Sequence, residues 1–321
     1  MNAHWRYRPE GGSYFAQWLI RTIALYCGRP VARAVLYPVT LYFFLRRRHE
    51  RQASRAFLHS VLGGPISCAQ IFRHMHSFAA VTLDRVYMLA RGARGFELEV
   101  EGLETLHQTV EQGRGVILVG SHHGSFEALR MLSNRYDKAT LRVVLNKQQT
   151  PAMTALLEAL APDIGARVID GSQDPASVVL ALGEAVRQGH MVALLADRGR
   201  PDESMLQVPF LGRPAAFPMG PWMLAATLRV PVVLCFGLYL GGNRYKLMFE
   251  SFADPKGLSR QGRMKAVHGY VRDYASRLEK MARTYPYNWF NFYDFWHVPA
   301  NCKVDADSSG HDLRDGAGVC G

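Results

Sequence analysis

The chain has 321 residues, 48% of them hydrophobic, and carries 38 Lys and Arg against 27 Asp and Glu, a formal charge of +11. That is enough chain and apolar side chain for one large domain with a sizeable core plus appendages. The five cysteines (27, 68, 235, 302 and 320) are scattered, odd in number and without a CxxC spacing, so they indicate neither a disulfide framework nor a structural zinc site, and a reducing, cytosol-facing domain is the simplest reading.

Residues 1–60 concentrate the charge: ten Arg against Glu10 and Glu50, a net of +8, among many Trp, Tyr, Phe and Leu. A nucleic-acid-binding arm is seldom this apolar, so a membrane surface is the better partner. No small-residue cleavage site follows a compact apolar core, which argues against a signal peptide. Arg21, Arg29 and Arg33 interrupt residues 15–45, Pro30 and Pro38 would kink a helix there, and the longest charge-free piece, Ala34–Leu45, has twelve residues. Spanning needs about 20, and burying Arg29 or Arg33 at mid-membrane costs roughly 2.5–3.5 kcal/mol each. The segment is therefore expected to lie in the interface, with Arg46–Arg48 on anionic lipid; a helix packed on the protein's own core is the competing reading.

Residues 61–95 read as a helical bridge ending at the Gly92–Gly95 breakers. Residues 96–300 alternate short apolar runs with helical stretches. Strands are expected near 115–120, 141–145, 166–169, 191–196, 231–240 and 244–250, and helices near 125–133, 151–160, 174–188, 218–229 and 259–284. This alternation predicts an α/β domain with a largely parallel, mixed sheet covered by helices. Residues 301–321 are polar and rich in Gly and Asp, and read as a disordered tail.

Two clusters of chemistry follow predicted strands. Ser121-His-His-Gly-Ser-Phe-Glu127 comes directly after Gly115–Gly120, placing His122 and Glu127 at the carboxyl end of a strand, where α/β folds gather ligands. A carboxylate beside a histidine fixes its tautomer and stabilises the imidazolium. A structural histidine beside an ordinary first-turn glutamate is the alternative. Asp197-Arg198-Gly199-Arg200 follows the strand near 191–196 and, in a parallel sheet, belongs to the same rim. The stretch Val208–Pro221 is rich in Gly and Pro; it reads as a tight loop entering a helix, with Phe210, Leu211 and Phe217 lining an apolar slot.

The order of these features resembles the bacterial lipid A acyltransferase family of the lysophospholipid acyltransferase superfamily. His-x4-Glu, then Asp197, then Pro209-Phe-Leu-Gly-x-x-Ala-x-x-Pro-x-Gly-Pro221, then Val230-Pro-Val-Val233 carry the likeness over roughly residues 14–296. His122–Glu127 is similar to the family's His-Phe-Gly-Asn-Trp-Glu. The resemblance implies a glycerol-3-phosphate acyltransferase-like fold, His122 as general base and Glu127 as its orienting carboxylate. It also implies Gly124 near the oxyanion and Asp197 positioning the acceptor, with Arg198, Arg200, Phe210 and Gly212 in the binding region. Lys147 stands near the place where the family has an arginine. The ending Tyr285–Trp296 resembles members associated with aryl polyene biosynthesis, and its aromatics suit headgroup depth.

Two competing readings use the same residues. His122-His-x-x-x-Glu127 is also close to the His-His-x-x-x-Asp of other CoA acyltransferases, with His123 as base; His122, His123 and Asp197 are the ligands in a metal-dependent hydrolase reading. A non-catalytic membrane-binding protein would need only the N-terminal segment. The expected enzyme transfers an acyl group from an acyl carrier protein or CoA thioester to a lipid hydroxyl or amine, on the cytoplasmic face of an inner membrane. Lys147, Arg200 and Arg213 are candidate contacts for an acidic carrier. No Walker-type loop or Gly-x-Gly-x-x-Gly turn occurs, and no cofactor, metal or nucleic acid is expected.

Overall fold

A computed structural model describes residues 28–133, 140–148, 151–162, 167–199, 203–297 and 302–304. Arg200, Arg6, Arg8 and Arg21 lie outside the described residues. Three helices come first: α1 (Arg29–Arg46), α2 (Arg48–Leu62) and α3 (Cys68–Arg91). α1 has Pro30 in its first turn, where a missing N–H costs nothing, and runs on through Pro38, which sequence reading took as a kink. A capping box starts α3. The Ser67 hydroxyl accepts the Gln70 N–H at 3.2 Å and the Gln70 side-chain oxygen accepts the Ser67 N–H at 2.9 Å.

α1 is tied to the domain by charge. Asp84 of α3 is fully buried and accepts from Arg29 at 2.8 and 3.0 Å, from Arg33 at 2.6 Å and from the Tyr245 hydroxyl at 2.8 Å. Arg33 also donates to the Tyr239 hydroxyl at 2.9 Å. The two arginines that seemed to bar burial of this segment are thus consumed in an ion-pair network, which a buried carboxylate requires. Ala32, Leu36 and Thr40 face inward, while Val31, Tyr37, Leu41, Tyr42 and Leu45 are exposed. The reading as a helix packed on the protein's own core holds for one face of α1; the other carries an exposed apolar stripe among the described residues. Among the described residues no helix is long and apolar enough to cross a membrane.

The domain then alternates β1 (Glu97–Glu101), α4 (Leu103–Glu111), β2 (Val116–Gly120), α5 (Phe126–Ser133), β3 (Leu141–Leu145), α6 (Pro151–Leu160), β4 (Val168–Asp170), α7 (Pro175–Arg187) and β5 (Met191–Leu195). It continues with β6 (Met205–Phe210), β7 (Arg213–Pro218), α8 (Gly220–Leu228), β8 (Val232–Gly241), β9 (Arg244–Ala253) and α9 (Arg263–Thr284). Seven strands form one sheet in the order β1-β9-β8-β2-β5-β3-β4. β8, β2, β5, β3 and β4 are parallel, and the β8–β9 hairpin reverses direction. Every residue of β2 is buried, as expected of a central strand covered on both faces.

The α/β expectation holds, with three local corrections. β1 and α4 were not foreseen. Residues 205–218 are not a loop but the antiparallel hairpin β6–β7, turning at Leu211 (φ 53) and Gly212 (φ 75), a two-residue turn with both central residues left-handed. At the chain's far end Lys303–Val304 form a short strand, β10, parallel to β6, where a disordered tail was expected to have begun; residues 305–321 lie outside the described residues.

Candidate active site

Strand register brings His122 and Asp197 together. Gly120 of β2 and Leu195 of β5 are parallel partners, so the residues two positions beyond each emerge side by side on the same rim, strands lying about 4.8 Å apart. The Asp197 carboxylate accepts His122 Nδ1–H through Oδ1 at 2.8 Å and the His122 backbone N–H through Oδ2 at 3.1 Å. Asp197 is fully buried, whereas the His122 side chain keeps 31% of its surface exposed. Glu127, expected on the imidazole, instead meets Arg85 of α3, with Oε2 3.0 Å from Nε. The carboxylate that orients His122 is therefore the distant Asp197, not the Glu127 of the local motif.

The electrostatics divide the pair cleanly. Burial, followed by the Arg198 cation, holds the His122 ring below its ordinary value, with Arg85 adding to the effect and Asp197 opposing it. Burial alone would raise the Asp197 carboxyl, but the His122 ring, Arg198 and the Asn291 amide outweigh it and hold the acid well below the carboxylate range. The pair rests as ionised Asp197 and neutral imidazole. Because Nδ1 carries the proton toward the carboxylate, the lone pair is on Nε2, the arrangement a general base needs.

The C-terminal aromatic segment completes this arrangement, a role sequence reading missed. Asp197 Oδ2 also accepts from Trp289 Nε1 and from Asn291 Nδ2, each at 3.1 Å. Arg198, expected at the substrate, donates from Nε to Asn291 Oδ1 at 2.6 Å and from an Nη to the Phe290 carbonyl at 2.8 Å, with its guanidinium 5.4 Å from the Tyr293 ring centroid. Backbone bonds zip the segment to the motif: Gly124 N–H donates to the Asn288 carbonyl at 2.7 Å and Phe290 N–H to the His122 carbonyl at 2.9 Å. The available signal was compositional: Asn288 and Asn291 are polar residues in a largely aromatic strip, and both are buried, which requires partners.

Several expected roles change. Gly124 N–H and the neighbouring Ser125 N–H (to the Gly237 carbonyl, 2.6 Å) are already committed to carbonyls, so these two amides are not available to an oxyanion. Gly124 is required for another reason: at φ +79 a Cβ would lie 2.1 Å from the Gly237 carbonyl oxygen. Phe210 lines no slot; it is fully buried beneath Trp289, with ring centroids 5.2 Å apart, and packs on Phe217 and Phe295. Gly212 belongs to the β6–β7 turn. Arg213 lies 4.5 Å over the Trp296 ring. Lys147 sits at the end of β3, on the same rim but two strands from β2, and its N–H donates to Asp170.

His123, the base of the alternative reading, is 2% exposed, and burial pushes its ring down to about 3. It packs edge-on to Phe236 inside the domain, while its neighbour His122 is the one on the rim. Among the described residues no three His, Cys, Asp or Glu side chains converge where a metal ion could be held. Of the predicted set, His122, Asp197 and Arg198 come together, Glu127 pairs with Arg85, and Lys147 stands apart.

No curated protein matches the chain. The model of the bacterial lipid A biosynthesis acyltransferases, in contrast, matches residues 14–297. The match spans all three N-terminal helices, the seven-stranded sheet and the Trp289–Asn291 segment. The chain therefore belongs to the bacterial lipid A biosynthesis acyltransferase family and is an acyltransferase.

Proposed function

We propose that this enzyme moves a fatty or aryl polyenyl acyl group from an acyl carrier protein thioester, with acyl-CoA as the second donor, to a hydroxyl or amine of a lipid acceptor. It does so at the cytoplasmic face of an inner membrane. The observation that carries the reading is the 2.8 Å hydrogen bond between His122 Nδ1 and the buried Asp197 carboxylate, which leaves Nε2 on the rim as the basic nitrogen. Nε2 takes the proton from the acceptor as the acceptor oxygen or nitrogen attacks the thioester carbonyl. The tetrahedral intermediate then collapses, expelling the thiolate, to which the imidazolium returns the proton. A thioester is already activated, so no acyl-enzyme is required.

Membrane association is supported by α1. Its exposed stripe of Val31, Tyr37, Leu41, Tyr42 and Leu45 is followed directly by Arg46, Arg47 and Arg48. Apolar and aromatic side chains beside a cationic cluster suit a helix lying in an anionic interface.

The test is acyl transfer by wild type, His122→Gln, Asp197→Asn and His123→Gln, offered carrier-protein and CoA thioesters with extracted bacterial lipid, and followed by mass spectrometry. His122→Gln and Asp197→Asn are expected to lose about a hundredfold or more, and His123→Gln to keep most of its activity if it folds. In wild type, kcat/KM should be level at neutral pH and fall only in acid, below the ordinary histidine value of about 6.5, because the His122 ring is held low. Full activity in His122→Gln would overturn the mechanism, and the product mass identifies the acceptor.

A further inference from the structure

We propose that Trp289 and Asn291 are positioning residues of the base: they fix the Asp197 carboxylate so that Oδ1 is presented to the His122 imidazole. This deepens the proposed function and rests on His122 as the base. Oδ2 accepts three N–H groups, from His122 N, Trp289 Nε1 and Asn291 Nδ2, each at 3.1 Å, and Oδ1 takes His122 Nδ1–H at 2.8 Å. A buried carboxylate with every donor supplied has one orientation, and the imidazole inherits it.

The two donors are themselves held. Trp289 is fully buried among Phe57, Phe210 and Phe295, with ring centroids at 4.9, 5.2 and 4.6 Å. Its carbonyl accepts from His74 Nε2 at 2.9 Å, and His74 Nδ1 pairs with the Ser54 hydroxyl at 2.9 Å. Helices α2 and α3 therefore brace the tryptophan. Asn291 is fixed from the other side by Arg198, which follows Asp197 in the chain and reaches back to its amide oxygen at 2.6 Å. The amide must then point its nitrogen at Asp197, since the oxygen is taken.

Removing a donor has a consequence that simple loss of packing lacks. A carboxylate with fewer hydrogen bonds is more basic and holds the imidazolium more strongly, so His122 protonates at higher pH. Trp289→Phe keeps an aromatic ring but removes the N–H; Asn291→Leu keeps the approximate volume. Phe295→Leu, which touches Trp289 but not Asp197, is the packing control.

The experiment measures the pH profile of kcat, KM for the thioester, and thermal stability for wild type and these three variants, with His122→Gln as reference. Expected are a loss of about 10- to 100-fold in kcat for Trp289→Phe and Asn291→Leu, an acid limb moved to higher pH, and an unchanged KM. Phe295→Leu should melt earlier with its acid limb unmoved. An unmoved limb in folded Trp289→Phe and Asn291→Leu would overturn the inference, as would an equal shift in Phe295→Leu. If Trp289→Phe fails to fold, Asn291→Leu decides alone. Retained activity in His122→Gln would instead sink the underlying mechanism; a dead His122→Gln with unmoved limbs would sink this inference only.

Discussion

Glu127 shows how a local motif misleads about which carboxylate reaches a histidine. It lies five residues from His122, but it stands in the first turn of α5, while His122 precedes that helix on the β2 rim. Its carboxylate is 4% exposed and meets Arg85, whose charge in turn contributes to holding the His122 ring neutral. Glu127 is then expected to act through Arg85. Glu127→Gln and Arg85→Met should each lower acyl transfer by about tenfold or more, and the double variant should be little worse than either. Equal and independent losses, multiplying in the double variant, would show that Glu127 acts without Arg85. Asp197, 75 positions from His122, was legible only as a residue on the same rim. Its contact depends on β2 and β5 being adjacent and in a register that pairs Gly120 with Leu195, and periodicity carries no register between distant strands.

At the scale of elements, the strands of the central sheet were readable because they are continuous apolar runs bounded by turn residues. β1, Glu-Leu-Glu-Val-Glu, was not: it is an edge strand with three glutamates, mostly exposed, and such strands lack the apolar run. The β6–β7 hairpin was hidden by Pro209, Pro214 and Pro218, residues that ordinarily argue against a strand and are tolerated in a short hairpin outside the main sheet. α1 was misjudged for a different reason. Arg29 and Arg33 read as charges needing water, yet Asp84, some fifty residues on, is buried to receive them. Asp84→Asn leaves two partly buried guanidinium groups without their carboxylate and should cost about 3–5 kcal/mol. Limited proteolysis should then cleave around α1 in Asp84→Asn, while wild type resists. Equal resistance in both would mean that the apolar contacts of Ala32 and Leu36, rather than the ion pair, seat the helix.

Over the whole molecule, the N-terminal helices and the C-terminal segment meet at His74, a fully buried ring that joins Ser54 of α2 to the Trp289 carbonyl. Burial holds His74 down to about 4 and His123 down to about 3, and His76, His122 and His190 are shifted in the same direction. In the unfolded chain each titrates near 6.5. Between that value and the folded values the unfolded state binds protons that the native state refuses, so stability is complete above pH 6.5 and declines as the pH falls toward 4. The slope is up to about 1.4 kcal/mol per pH unit for each fully buried ring. Asp197, whose folded value is depressed, has its stabilising effect intact until the pH falls below the ordinary aspartate range, so it does not contribute in this window. The midpoint of chemical unfolding should therefore fall steadily from pH 7 to pH 5. The His123 ring meets the Tyr285 backbone but makes no well-aligned hydrogen bond through either nitrogen, so His123→Leu removes a titrating group at modest cost in bonding and should flatten the decline. A His123→Leu variant as acid-sensitive as wild type would exclude His123 from the acid response and leave it to rings such as His74, which joins α2 to the Trp289 segment.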